Sequence, residues 1–215
     1  MTGRDPADTV EVASKRLSRW LDGFGERHGE TSWVASADTV TVTAADGTVA
    51  TCAVPFPPLA VRDDVPYGGL VAHATAERRV GVLLVRRGGY AAGVFAGERL
   101  VTSKVGSRHV QGRSKAGGWS QRRFARRREQ QAREAFGAAA DTAARILLPA
   151  AGDLVTLVCG GDRQAVDAVL ADPRLAPLVP LAERRLHSVP DPRQRVLEQM
   201  PARFLAIHVT ITPPP

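Results

Sequence analysis

The chain places a carboxamide, Gln121, after a glycine pair in the stretch Gly117-Gly118-Trp119-Ser120-Gln121, and surrounds it with cations in GRSKAGGWSQRRFARRR. A neutral amide is no general base near pH 7, and it is an odd choice for holding phosphates. Any chemistry it performs is therefore geometric, through its hydrogen-bond donors and acceptor. The cations have a plainer use. Residues 99–128 hold ten Lys or Arg and no Asp or Glu, out of 29 basic and 22 acidic residues in the chain. Without that segment the balance is 19 against 22, so one stretch turns a formal −3 into +7. Such a concentrated field is the footprint of a polyanion binder, because each phosphate neutralised releases counterions.

An idle solvated helix face explains these arginines poorly. Arg122 and Arg123 sit in the first turn of the helix expected from Ser120, where the dipole disfavours cations by roughly 0.3–1 kcal/mol each. Arg122/Arg126 and Arg123/Arg127 are like charges four residues apart, costing a further ~0.2–0.5 kcal/mol per pair. The total of ~1–3 kcal/mol is a noticeable part of a typical ~5–15 kcal/mol stability, and an anionic partner would offset it. Arg108, His109, Arg113, Lys115, Trp119, Arg122, Arg123, Arg126, Arg127 and Arg128 are the candidate nucleic-acid-binding residues, with charge alone leaving open which polyanion they meet. Trp119 has two readings, a base-stacking ring or an anchor packed on its own domain.

Other chemistries find little support. Cys52 and Cys159 are far apart and form no CxxC, and His28, His73, His109, His187 and His208 show no ligand spacing, so no metal and no cofactor are expected. GxSxG, Walker and GxGxxG motifs are absent. No apolar run approaches the ~20 residues that span a bilayer, and MTGRDPADTVEVASK lacks the apolar core of a secretion signal. A cytoplasmic protein without membrane contact is expected.

The elements that must carry the loop follow from periodicity. Residues 8–24 read as an amphipathic helix with Asp8 as N-cap, and Thr39–Thr43 and Thr48–Val54 as a hairpin with a two-residue Asp46-Gly47 turn. Residues 55–76 read as a Pro/Gly-rich connection with room for a short helical turn. Val80–Arg86, Tyr90–Phe95 and Arg99–Val105 form a meander whose third strand enters the basic loop, 106–119. Residues 120–148 contain no proline and read as one long helix, with Phe124, Ala132, Ala135, Phe136, Ala139, Ala143, Ile146 and Leu147 towards a sheet. A strand at 153–159, a helix at 163–171, a strand at 181–186, a helix capped by Asp191-Pro192 and running to Met200, and a strand at 203–212 complete a mixed α/β sheet. An N-terminal helical extension, 1–30, ahead of a single domain, 31–215, is the expected organisation.

The stretch from Arg108 to Arg128, above all GGWSQ, resembles the catalytic loop of the actinobacterial Vms-like release factors, relatives of the eukaryotic and archaeal class-I peptide-chain release factors. Class-I factors have the glutamine immediately after two glycines. The Vms-like branch uses GxxQ, which Gly118-Trp119-Ser120-Gln121 fits. From about Ser32 onward the element order is also similar to the release-factor middle domain, which implies a ribonuclease-H-like topology with a long helix after the loop. The zinc finger, ankyrin repeats and segregase-binding motif of eukaryotic Vms-like proteins are not found, nor is a codon-reading domain.

The resemblance implies a peptidyl-tRNA hydrolase acting as a release factor in ribosome rescue, whose partners are peptidyl-tRNA and the peptidyl transferase centre of the large ribosomal subunit; a monomer is expected. Gln121, Gly117 and Gly118 would be the catalytic residues. Gln111, Gln130 and Gln131 are rival amides, but none follows a glycine pair. Two other classes stay open: a non-catalytic ribosomal-RNA or tRNA binder acting in assembly or hibernation, and a nuclease of ribonuclease-H-like topology. The second needs carboxylates converging on a metal, and the basic segment has none.

Overall fold

The computed structural model of the chain describes residues 8–86, 89–107 and 120–214, with only the helical backbone described over 120–132. The chain divides into two compact units, one formed by residues 1–76 with 201–215 and the other by 77–200. The divisions fall after Ala76 and after Met200, not at the 30/31 boundary expected from sequence. The reason is that the last strand returns to pair with the first.

In the first unit, β1 (Asp8–Ala13) leads through a 3-10 turn into α1 (Leu17–His28), followed by β2 (Thr31–Ala35), β3 (Thr39–Ala44), β4 (Val49–Ala53) and α2 (Leu70–Thr75). A helical turn, α6 (Pro201–Phe204), and β10 (Ala206–Thr212) complete it. The five strands form an antiparallel sheet in the order β1-β10-β4-β3-β2. The expected helix over 8–24 is thus strand for its first six residues. Thr9, Val10 and Val12 pair with Thr210, Val209 and Ile207, and this pairing from the far end of the chain overrides the local helical periodicity. The helical part survives where Leu17, Leu21 and Phe24 recur at four and three residues and are fully buried. They join Val40, Val42, Ala50, Cys52, Ile207 and Val209 in one core. By the pleat alternation, Thr9, Thr210, Thr51 and Thr41 form an opposite row of hydroxyls in register across four strands. The β3–β4 turn holds three residues, not two. Gly47 N–H bonds the Ala44 carbonyl at 3.0 Å, Ala44 pairs with Thr48, and Gly47 takes φ 88°, the left-handed position of a type I turn with a bulge.

The second unit contains β5 (Arg79–Arg86), β6 (Gly89–Ala96), β7 (Arg99–Gly106), α3 (Ser120–Leu147), β8 (Thr156–Gly161), α4 (Arg163–Leu170), β9 (Ala182–His187) and α5 (Gln194–Glu198). Its sheet order is β7-β6-β5-β8-β9, with β6 antiparallel to both neighbours and β8 parallel to β5 and β9. This 3-2-1-4-5 order, with the second strand reversed, is ribonuclease-H-like, as the resemblance implies. The fold is mixed α/β in two sheets where one was expected. β5 reads as a continuous apolar run, Val80 to Val85, because both faces of this central strand are covered. Leu83 and Val85 meet α3 and α4 through Ala139, Ala143, Leu147, Val166 and Val169. On the other face, Gly93 of β6 leaves room for Leu197 of α5, whose side chain would lie 3.0 Å from an added Cβ.

Two further expectations shift. Residues 148–153 are a 3-10 turn, so β8 begins at Thr156 and not at Asp153. The helix expected over 191–200 is only Gln194–Glu198, and Asp191 does not cap it. Its carboxylate lies 3.8 Å from Arg86 Nε, and Pro192 is buried.

Burial raises the Cys52 thiol to about 11 and the Cys159 thiol to about 12, leaving both protonated at neutral pH and unreactive. Arg174 bridges Asp141 of α3 at 2.8 Å and Asp172 at 2.7 Å, pinning the helix to the 3-10 segment at 173–181. The Arg174 side chain holds the Asp172 carboxyl down to about 2, against an ordinary 3.8. A depressed carboxyl contributes stability above its unfolded pKa and loses it as pH falls through the folded value. Two outcomes follow. Iodoacetamide should label neither cysteine at neutral pH until the chain unfolds, as read by intact mass. The small thermal-midpoint gap between the parent and Asp172→Asn should hold from neutral pH to about pH 4 and close towards about pH 2.

Candidate nucleic-acid interface and loop-bearing helix

The architecture sends the basic segment out from one edge of the second sheet. β7 runs in the same direction as β5, since each is antiparallel to β6, so β7 ends at the edge where β5 and β8 also end. The helix α3 must return from that edge to the opposite one to feed β8. It is far longer than the strands it covers: 28 residues, about 42 Å at 1.5 Å per residue, against about 26 Å for eight-residue β5. The C-terminal end fixes the register. Leu147 lies 3.4 Å from the position a Cβ on Gly81 would take. Five residues along β5, Arg86 ends the strand about 17 Å away, a distance that helix α3 covers in about 11 residues, at Phe136. Phe136 is the helix's last large side chain packed on the core in that direction among those described. Laid straight along β5, the helix carries residues 120–135 roughly 24 Å past the end of that strand.

The projecting arm carries Gln121 in its first turn and Arg122, Arg123, Arg126, Arg127 and Arg128 in its first three. At about 100° per residue, Arg122 and Arg126 share one strip of the helix, Arg123 and Arg127 the next, and Arg128 lies nearly over Gln121. The positive positions therefore wind around the arm and do not form a single stripe. No acidic residue lies in the first turn. Arg108, His109, Arg113, Lys115, Gly117, Gly118 and Trp119 lie outside the described residues, as does Gln111.

The rest of the molecule is not positive. The first unit holds seven Lys or Arg against ten Asp or Glu, and the second unit outside 99–128 holds twelve of each. Several described arginines there are offset by carboxylates: Arg79 by Asp153 at 3.5 Å, Arg86 by Asp191 at 3.8 Å, and Arg174 by Asp141 and Asp172. The positive excess of the chain thus lies in the loop and arm. Among the described residues, no group of three or more His, Cys, Asp or Glu could hold a metal ion, and no helix is long and apolar enough to cross a membrane. β5, whose apolar residues fill the centre of the sheet, has no carboxylate.

Sequence reasoning did not single out the exit of the loop. At the end of β7, Gly106 pairs with Tyr90 of β6, and a Cβ added to Gly106 would fall on the Tyr90 ring, 2.5 Å from Cε2 and from the hydroxyl oxygen. Gly89 beside it has the carbonyl oxygens of Gly106 and Pro192 3.1 and 3.3 Å from where its own Cβ would stand. The available signal was a tyrosine in the otherwise small-residue start of β6, GYAAG, opposite a strand ending in glycine.

Residues 78–210, more than half of the chain, match the family described as Actinobacteria/chloroflexi VLRF1 release factor. The chain belongs to this release-factor family. Among solved structures it is similar to the crystal structure of archaeal translation termination factor aRF1, at 15% identity and a TM-score of 0.41, over 94% of this chain and 68% of that one. A second structure, of an archaeal protein, is similar at 14% identity and a TM-score of 0.40, over the same shares. No curated protein matches. In this VLRF1 family member, the matched residues take in the basic segment, the arm and the sheet that carries them.

Replacing Arg126, Arg127 and Arg128 together by Gln should weaken binding to ribosomal RNA and reduce the slope of log affinity against log salt by about two to three, at ~0.7–0.9 for each phosphate that is no longer neutralised. A titration across salt concentrations checks it. An unchanged slope would remove these residues from the interface.

Proposed function

We propose that this release-factor family member hydrolyses the ester of peptidyl-tRNA held on stalled ribosomal particles, by carrying Gln121 into the peptidyl transferase centre of the large subunit. The observation that carries the reading is the position of Gln121, in the first turn of a 28-residue cationic helix whose length and register carry it roughly 24 Å past the end of β5. A reactive group meant for a site within its own fold has no use for such reach. A narrow RNA channel does demand it, and arginines wound around the arm suit a channel that surrounds it with phosphates better than a flat docking face.

The ester is already activated and chiefly lacks a water in line with its carbonyl, so positioning supplies much of the rate. In this reading Gln121, through its side-chain amide or its backbone N–H, orients that water or stabilises the developing oxyanion, while ribosomal RNA and the terminal ribose complete the site. Gly117 and Gly118 admit the backbone to close quarters. Arg108, Arg113, Lys115 and the arm arginines hold phosphates, and His109 or Trp119 stacks on a base. The catalytic domain, expected over 31–215, is assigned to the second unit, with its neutral body and basic arm. The protein acts as a cytoplasmic monomer without a cofactor.

Stalled large-subunit complexes bearing labelled peptidyl-tRNA test the reading. Gln121→Ala should lower the rate of peptide release by at least about 10²-fold, the scale of losing one oxyanion donor, with affinity for the complex unchanged. Release that survives the substitution would favour the non-catalytic binder. Deleting residues 129–135, two turns that keep every arginine of 122–128 and nearly preserve helical phase, should shorten the reach by about 10 Å and abolish release without unfolding the domain.

A further inference from the structure

The end of β7 is met by residues from outside the basic run, Tyr90 and Gly89 of β6 and Pro192. Tyr90, the second residue of β6, is half-buried and packs on the core cluster that also holds the C-terminal half of α3. Its ring occupies the space that any side chain at position 106 would need. Gly106 has no positive φ, so its glycine is explained by room for the ring and not by backbone conformation. Opposite, the Gly106 carbonyl oxygen and the Pro192 carbonyl oxygen close on Gly89. The Pro192 segment is held in turn, since Arg86 donates to the Val189 carbonyl at 2.7 Å and pairs with Asp191. Gln194, two residues on, lies 3.5 Å from the hydroxyl of Ser103 on β7. The Tyr90 ring thus lies against Gly106 at the last residue of β7, while its β6 neighbour Gly89 is approached by the Gly106 and Pro192 carbonyls.

We propose that Tyr90 is a positioning residue for the reaction: its ring, seated against Gly106, sets the direction in which the chain leaves β7 and so the placement of Gln121 against the ester. The proposal rests on the release reading for its catalytic consequence, whereas its structural content stands apart from it. Small errors in placement are costly, since about 1 Å can remove about 10²-fold of rate.

The experiment uses the full chain with four variants, Gly106→Ala, Tyr90→Ala, Tyr90→Phe and the Gly106→Ala/Tyr90→Ala double. Peptide release on stalled large-subunit complexes gives kcat and KM separately. A spin-label distance between Lys115→Cys and Gly152→Cys reads the path of the loop without reference to catalysis. Gly152 suits the label because nothing lies within 4 Å of an added Cβ there.

Gly106→Ala should lower kcat on the order of 10²-fold with KM nearly unchanged, and shift the mean label distance. Tyr90→Phe, which keeps the ring, should match the parent in both readouts. The double variant should fall to the level of Tyr90→Ala alone and no further, since the added methyl then meets no ring. A Gly106→Ala chain with parental kcat and parental distance, or losses that multiply in the double variant, would overturn the proposal. If the parent releases no peptide, the release reading fails by itself, and the distance measurement still decides whether Tyr90 steers the loop.

Discussion

An eight-residue strand and a 28-residue helix cannot end together at both edges of a sheet. Because α3 is tied at its C-terminal end, with Leu147 beside Gly81 and Asp141 held by Arg174, the mismatch is expressed at the other end. Among the described residues, packing on the core runs from Phe136 to Leu147, and by helix length the remaining turns extend past the end of β5. This explains how a stretch with like charges four apart and cations against the helix dipole can be helical. Its support comes from the packed half, and its charges are left for a partner to satisfy.

Charge and geometry point the same way. The body of the second unit is neutral and the first unit is slightly acidic, so the positive excess of the chain is confined to the segment that the fold sends outward. A protein built to coat RNA with a broad basic surface would spread its arginines over the sheet and helices. Here those outside the segment are balanced by carboxylates, and the field is focused on one projection.

How much of this was legible in the sequence depended on where each element found its partner. The meander from Arg79 to Gly106 and the helix from Ser120 were readable because their pairings and periodicity are local. The first sheet was not, since the strand character of DTVEVA comes from β10, some 200 residues away, and the same six residues also fit a helical wheel. Asp191-Pro192 resembled a helix cap, but Asp191 lies towards Arg86, an ion pair across the fold that no local pattern announces. For the site, the residue types in the basic segment were visible and the reach of the arm was not. Reach is a difference between a helix length and a strand length, and it needs the contact at Gly81 to set the register. Tyr90 and Gly106 were invisible for a similar reason: a missing Cβ has meaning only once the ring that fills its place is known.

The central claim is that the arm delivers Gln121 to the ester. A density map of this chain bound to a large ribosomal subunit carrying peptidyl-tRNA tests it most directly. Gln121 should lie within about 3 Å of the water or oxyanion position at the ester carbonyl, with arm arginines on ribosomal RNA phosphates and the sheet edge at Arg86 standing outside, roughly 24 Å away. A chain bound with Gln121 remote from the ester, or held by the first unit with the arm in solvent, would contradict it.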